Sequence, residues 1–518
     1  MATLKELRAV RLEKLQKLQE LGVNAYPAVS ERDTKIGPIL DDFAKYDNHE
    51  VVVAGRVTSV RRHGKLSFID VRDASGKLQL FIRADGMAQT DHSKSQLAFD
   101  ELPLLDEGDF VESRGKVIKT QAGQISVAAE TVKLLTKALR PMPSAWDGLK
   151  DKETRIRRRY LDTNLNDEVY QRFIRRSKFW AATRDFLTAN DFLELNIPVL
   201  EHTTGGADAN PFVTHMDALG QDFYLRISHE LPLKRLLVGG YEKVFDIGPR
   251  FRNENYSDEH LPEHVAMEWY WAYANWQQGM EFTQRLVRAI ADATWGTRQF
   301  TLLNGQKVDL GPDSEDWPRI SFVEIIKEKY GIDVFDTTLD EIKAQLAKHR
   351  IEVEKSESLP RGIDKLWKKI RVDLAGPVFL VDIPTFLQPL AKTQPGKPEL
   401  TEQFNLVLGG TEACKAYSEL NDPVDQLRRF MEQQVLRDAG DAEAQMLDID
   451  YVEALEYAMP PACGFGFSER LFWMLEGVTA REGVPFPQLR RDVDEVTKGI
   501  YPELYGSAGS QGSSPAGE

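Results

Sequence analysis

The sequence predicts an α+β protein: a small closed β-barrel, then a large domain of mixed helices and strands, flanked by a helical extension and a loose tail. Three observations carry that expectation. Residues 49–140 contain five short β-rich runs separated by turn residues. Residues 161–500 alternate helical periodicity with isolated strand-like runs, which fits one large α/β or α+β domain. The chain has 518 residues and is 42% hydrophobic, enough to fill ordinary cores, and at about 150 residues per domain its length allows roughly three.

In the extension, residues 1–48, Leu4, Leu7, Leu15, Leu18 and Leu21 fall at spacings of one helical face, and the pattern stops at Gly22. The five runs that follow are VVVAGRVTSV, KLSFIDVRD, KLQLFIRAD, DFVESRGKVIKT and QISVAAETVKLL, with HGK, ASGK, EGD and QAG between them. Five such strands in about 90 residues predict a barrel of the oligonucleotide-binding type, the OB-fold. RPMPSAW, with two prolines, ends it and opens a linker over 141–160. TRIRRRYLD leads into the large domain, where a helix from Val169 to Ala189 precedes the strand-like runs FYLRIS, KVFDIG, VFLVDIP and FNLVLGG. The tail, 501–518, carries GSAGSQGSSPAGE, which has nothing to bury and is expected to be disordered.

The charge balance, 66 Lys+Arg against 81 Asp+Glu, argues against coating nucleic acid by bulk charge but leaves room for a local basic patch. Cys414 and Cys463 are too few for a disulfide framework or a four-thiolate zinc site, and the nine histidines show no zinc spacing, so no zinc is expected. The start, MATLKELRAVRLEKL, lacks the apolar core of a secretory signal, and no run of about 18 apolar residues follows. A cytoplasmic protein with no membrane partner is the expectation.

Four stretches carry chemistry. KVFDIGPRFRNENYSDEHLPEHVAMEWYWAY reads as strand, polar loop and returning strand, placing Arg252 and Glu254 at one loop edge with Glu268 and Tyr270 opposite. Alone it would be a hairpin with surface salt bridges. FNLVLGGTEACKAYSELND alternates so that Lys415, Tyr417 and Glu419 share a strand face, which in isolation reads as solvated. In PPACGFGFSERLFWML, Gly464 and Gly466 permit close approach of backbone or a flat ligand, and Arg470 opens an apolar helix where it would grip phosphate. A turn packed on the sheet, with Cys463 buried, accounts for the glycines equally well. In the barrel, Arg56, Arg61, Arg62, His63 and Lys65 surround Phe68, as recognition of single-stranded bases would require, or as a solvated edge would show.

Taken together and in order, these stretches resemble the class II lysyl-tRNA synthetases from about Val51 to Arg490. FLELNIPVL, with Pro198, is similar to the first class II motif. TTGGADANPFVTH, LRISHELPLKRLLVGGYEKVFDIG and FRNEN followed by MEWYWAY are similar to the amino-acid pocket and second motif. AYSELNDP, LEYAMPP and the glycine segment ending at Arg470 are similar to the last strand and third motif. The resemblance implies an antiparallel-sheet class II aminoacyl-tRNA synthetase catalytic domain after an anticodon-binding OB-fold. It implies activation of L-lysine by ATP and transfer to the 3′ end of tRNA(Lys), with Mg²⁺ accompanying ATP and a homodimer formed through the Pro198 motif.

By the same resemblance, Arg252 and Arg470 are the catalytic arginines. Lysine would be held by Gly206, Glu230, Arg252, Glu268, Tyr270, Lys415, Tyr417 and Glu419, with Gly206 and Glu230 on the α-ammonium and Glu419 and Tyr270 on the ε-ammonium. ATP would meet Arg252, Glu254, His260, His264, Glu412 and Arg470; Glu412 and Asn405 would face the metal; Arg62, Phe68 and Gln79 would meet the anticodon. The chemistry agrees: a substrate with two ammonium groups and one carboxylate suits several buried carboxylates and one arginine. No nucleophilic triad is needed when a carboxylate attacks the α-phosphorus directly.

Five departures from the family pattern cluster in the site. Asn405 stands where a metal-binding glutamate is usual. Lys415 replaces an asparagine four residues before Glu419, and His264 replaces a phenylalanine that stacks on adenine. Glu259 lies near a usual phosphate-binding arginine, and the third motif runs one residue longer between Gly466 and Arg470. A divergent synthetase, a paralogue that lysylates a protein, and a silent tRNA-binding or regulatory homologue are the three readings. The retained barrel, both arginines and the three pocket carboxylates favour the first.

Overall fold

The computed structural model describes residues 3–143, 149–207, 209–254, 257–354, 357–438 and 444–505. The chain forms two compact units, residues 1–150 with 490–518, and residues 151–489.

In the first unit, helix α1 (Leu4–Glu20) opens on a Thr3–Glu6 capping box and ends before Gly22, whose φ of 79° suits only a residue without Cβ penalty. Five strands follow, β1 (Glu50–His63), β2 (Leu66–Arg72), β3 (Lys77–Arg83), β4 (Phe110–Lys119) and β5 (Ile125–Thr136), closing in the order β1-β2-β3-β5-β4. Alternate residues such as Ile69, Val71, Leu78, Leu80 and Val127 fill the interior.

The first 48 residues are not a separate appendage. Leu18, Val23, Ala25, Ile36 and Ile39 belong to the barrel's own core, and Arg11 donates to the carbonyls of Glu107, Ala138 and Arg140. A leucine face on a helix needs a partner to leave water, and the barrel supplies it. Helices Glu495–Ile500 and Pro502–Tyr505 also fall in this unit, so it takes in the end of the segment expected to be catalytic. Of the tail expected to be disordered, residues 506–518 lie outside the described residues.

The linker expected over 141–160 is partly helical. Residues 144–148 lie outside the described residues, but Lys152–Arg157 and Arg159–Leu165 are helices, and Arg159 is buried against Asp162 at 2.9 Å. An arginine-rich run can fold when a buried carboxylate answers it.

The second unit is built on an eight-stranded sheet. In chain order its strands are β6 (Leu193–Glu194), β7 (Lys243–Phe251), β8 (Glu263–Ala272), β9 (Arg319–Ser321), β10 (Val378–Val381), β11 (Gln403–Leu408), β12 (Thr411–Ser418) and β13 (Ala462–Ser468). They lie in the order β9-β10-β11-β12-β13-β8-β7-β6, antiparallel except for the two edge pairs. Helices α2 (Asp167–Ala189) and α4 (Trp276–Trp295), separated in the chain by α3 (Glu230–Val238), pack with one sheet face through an aromatic core that includes Phe179, Trp269, Phe282, Phe404 and Phe465. Trp269 and Phe465 stack across β8 and β13 at 5.3 Å. Strand alternation turns the intervening residues to the other face, and those are the polar ones.

Candidate active site

Strand register explains the floor of the site. One row across the sheet runs Asn405, Lys415, Gly466, Glu268, Asp246; the next runs Gln403, Tyr417, Gly464, Tyr270, Val244. The two glycines leave space in the middle of each row. A Cβ on Gly464 would lie 2.0 Å from a Glu419 oxygen and 2.4 Å from the Tyr270 ring. Above this floor is a cavity of about 550 Å³, and every position named above for lysine, ATP and metal lines it.

One end of the cavity is a closed network of charges. Lys234, on α3, is fully buried; its Nζ lies 2.6 Å from Glu230 Oε1 and against Glu419 Oε2. The Tyr417 and Tyr451 rings flank it at 5.6 and 5.7 Å. Tyr417 donates to the same Glu230 oxygen at 2.6 Å. Burial works against the Lys234 ammonium, but Glu230 and Glu419 outweigh it and raise its pKa.

Glu268 accepts from Ser228 Oγ at 2.8 Å, from the His229 N–H at 3.2 Å and from the Tyr270 hydroxyl at 3.0 Å, and pairs with Arg250 at 3.4 Å. Burial disfavours its carboxylate, yet Arg250, with His229 and Ser228, holds its pKa below the ordinary glutamate range. Burial raises the Glu419 pKa well above that range; Lys234 opposes the rise and the Glu230 charge adds to it. Gly206 completes this end: its φ is 83°, and a Cβ would sit 2.7 Å from the Glu230 Cβ.

One sequence expectation changes here. Glu268 and Tyr270 do not face the Arg252 loop edge: their register partners are Asp246 and Val244, and Arg250 pairs with Glu268. The Tyr270 hydroxyl donates to Glu268, its neighbour two positions along the same strand face. Lys234, Arg250 and Ser228 were missed. The i,i+4 pairing of Lys234 with Glu230 is legible in the sequence but its place in the pocket is not, and Arg250 is legible as the residue alternating with Arg252.

The other end is cationic. Arg470 opens α5 (Arg470–Glu476); burial lowers its pKa, and the nearby Glu259 opposes that. His260 bonds Ser257 Oγ through Nδ1 at 2.8 Å, and burial, helped by Arg470, lowers its pKa. His264 is opposite Arg250 in the register, with Nδ1 3.3 Å from the Leu261 carbonyl; burial and the Arg250 and Arg252 charges keep the ring neutral.

Glu412 accepts from Trp367 Nε1 at 2.5 Å and from Asn405 Nδ2 at 3.1 Å, while Asn405 Oδ1 accepts from Gln403. Asn405 thus offers a nitrogen where a metal needs oxygen. Among the described residues no three of His, Cys, Asp and Glu converge to hold a metal ion. Asn405 and Glu412 do not fit a protein-held Mg²⁺.

In the barrel, Phe68 lies on the outer face of β2 and β3, 5.4 Å from Phe81 and 6.4 Å from His63. Gln79 shares that face and accepts from Ser126 Oγ at 3.2 Å. Arg62 does not share it. Arg61 is the register partner of Phe68, while Arg62 turns to the other side over the Phe99 ring at 5.1 Å. Arg56 also leaves the expected basic cluster, donating to the Gly108 carbonyl at 3.0 Å over the Phe110 ring.

An OB-fold barrel in the chain ahead of an antiparallel sheet, with a carboxylate pocket and an arginine-lined nucleotide end on one sheet face, is the organisation of a class II tRNA synthetase. Residues 151–490 match the family model described as tRNA synthetases class II (D, K and N), and residues 51–135 match the OB-fold nucleic acid binding domain. The chain belongs to this class II family. It is 39% identical over 492 residues to a protein named lysine–tRNA ligase from Thermotoga maritima, covering 93% of this chain and 96% of that one. Proteins of the same name from Fervidobacterium nodosum (40% over 500 residues, 95% of each chain) and Moorella thermoacetica (42% over 490 residues, 94% and 98%) are similar over the same extent.

Proposed function

We propose that the chain is a lysine–tRNA ligase, joining L-lysine to ATP as lysyl-adenylate with release of pyrophosphate and then passing lysine to the 3′ end of tRNA(Lys). The observation that supports this most directly is the closed end of the cavity, where Glu230 and Glu419 already seat an ammonium from Lys234. Carboxylates arranged around one ammonium suit the two ammonium groups of lysine.

The residues would divide the work as follows. Glu230 and Gly206 orient the α-ammonium, Glu419 meets the ε-ammonium, and Glu268 with Tyr270 forms a fixed wall. Arg252 would align the substrate carboxylate with the α-phosphate for in-line attack, and Arg470 and His260 would receive the departing pyrophosphate. His264 and Glu254 would hold the adenosine side. In the second step a terminal ribose hydroxyl of tRNA attacks the adenylate carbonyl and AMP leaves. Magnesium would arrive with the ATP phosphates. Phe68 and Gln79, with Arg61 rather than Arg62 beside them, are the anticodon-facing residues.

The apolar side chains of Leu193, Leu200, Val213, Met216 and Leu219 are exposed around the Pro198 motif and support a homodimer through it. Among the described residues no helix is long and apolar enough to cross a membrane, and a cytoplasmic enzyme is proposed. Amino-acid-dependent ATP/pyrophosphate exchange across the standard amino acids tests the reading, followed by charging of tRNA(Lys). Exchange with lysine alone and charging of that tRNA is the expected result. Exchange without charging would point to a protein acceptor, and no exchange would overturn the enzyme reading.

A further inference from the structure

We propose that the Lys415 ammonium does at the ATP phosphates what a second, protein-held divalent cation would otherwise do. The inference rests on the ATP-dependent reading above and concerns a residue at the phosphate side of the same cavity.

The backbone gathers the relevant groups by an irregularity. Asn405 pairs with Lys415, Leu406 with Cys414 and Val407 with Glu412, so Ala413 has no residue opposite it. Without that extra residue Glu412, three positions before Lys415, would turn to the aromatic face of the sheet. With it, Asn405, Glu412 and Lys415 all line the cavity.

Side-chain bonding then fixes what the three can offer. A relay runs from Gln403 Nε2 to Asn405 Oδ1 at 2.9 Å and from Asn405 Nδ2 to Glu412 Oε2 at 3.1 Å. The carboxylate at its end takes the N–H, which orients both amides. Trp367 Nε1 donates to the other Glu412 oxygen. A hard cation needs oxygen ligands, and here one acceptor is turned away and the carboxylate is capped on both oxygens. Lys415 stands beside them with glycine, Gly466, as its other cross-strand neighbour, exposed to the cavity and with no ion pair among the described residues. An ammonium on a flexible stem is a compact phosphate ligand. Asn405 is neutral and Lys415 cationic, so this part of the cavity meets the phosphates with a positive charge of its own.

The test counts metal and measures ATP binding on the full chain. Mn²⁺ is titrated into enzyme, lysine and a non-cleavable methylene-bridged ATP analogue, with free Mn²⁺ followed by electron paramagnetic resonance. One Mn²⁺ per site, the ion carried by the nucleotide, is expected, and an Asn405→Glu/Lys415→Asn double variant should bind at least one more. By calorimetry, Lys415→Ala should weaken the analogue about 10-fold while thermal stability stays within about 2 °C, roughly the noise of an exposed substitution. Two or more Mn²⁺ per site in the unaltered chain, or unchanged analogue affinity in Lys415→Ala, would overturn the proposal. Absence of lysine-dependent exchange would instead count against the ligase reading, because the binding measurements need no turnover.

Discussion

The two ends of the cavity are built on different terms. At the lysine end the charges are buried and answer one another: Glu230 and Glu419 share Lys234, and Glu268 takes Arg250, Ser228, the His229 amide and Tyr270. At the phosphate end Glu259 and Lys415 are exposed, and among the described residues Glu412 takes its hydrogen bonds from the neutral donors Trp367 and Asn405. A buried ion pair that loses one member leaves a charge in low dielectric, which costs about 3–5 kcal/mol, so the first end tolerates little change. Groups that share solvent and a charged ligand can be exchanged if the total charge facing the ligand is kept.

The largest effects should follow from breaking the closed end. Lys234→Met strands Glu230 and Glu419 together and should destabilise the fold by about 3–5 kcal/mol, read as a lowered denaturant midpoint. Full stability in that variant would mean the network is not what holds this end. Glu419→Gln keeps the shape but removes the charge. Lysine KM should rise roughly 100-fold, which corresponds to about 2.7 kcal/mol, with ATP binding nearly intact. An equal loss for both substrates would show that the two ends do not act separately.

A proton should also distinguish the ends. In the empty pocket Glu419 is held above its ordinary pKa by burial and by the Glu230 charge, against the pull of Lys234. Lysine binds the ionised form, so below that raised pKa binding displaces a proton. Lysine affinity should therefore rise with pH through that pKa and level off until the substrate's ammonium groups deprotonate, the α-ammonium before the ε-ammonium. The same linkage means the empty protein loses stability as pH rises through the Glu419 pKa, since its folded form holds the proton more tightly than its unfolded form. The stabilisation by lysine should grow over the same interval. Calorimetry in buffers of different ionisation enthalpy measures the proton directly. Release with the unaltered chain and none with Glu419→Gln is expected; uptake would reverse the assignment.

What the sequence made legible follows from these terms. Alternation in KAYSE and GFGF was enough to place Lys415, Tyr417, Gly464 and Gly466 on one face, because period two is a local property. The barrel, too, was readable from its five runs and turns. Register was not. The extra residue at Ala413 decides that Glu412 faces the cavity, and the irregularity between Val57 and Ser59 precedes the stretch where Arg61, not Arg62, stands beside Phe68. Such shifts depend on the neighbouring strand. Lys234 escaped notice for another reason: within ELPLK it is an ordinary helical pair, and only Glu419, far along the chain, makes it part of the pocket.

The smallest effect is expected at His264. Its ring lines the cavity, and burial together with Arg250 and Arg252 keeps it neutral, so in the adenosine role proposed for it the ring would offer a flat face without competing for phosphate. That face carries less apolar area than phenylalanine. His264→Phe should therefore improve stacking by about 0.5 kcal/mol, lowering the ATP KM roughly 2-fold. The change removes the bond that Nδ1–H donates to the Leu261 carbonyl, which is long at 3.3 Å and contributes little. Because Glu268 is held by its own partners and not by His264, lysine KM should not move. A parallel change in lysine KM would mean that Arg250, the register partner of His264, transmits the substitution to Glu268, and the separation of the two ends would fail at that residue.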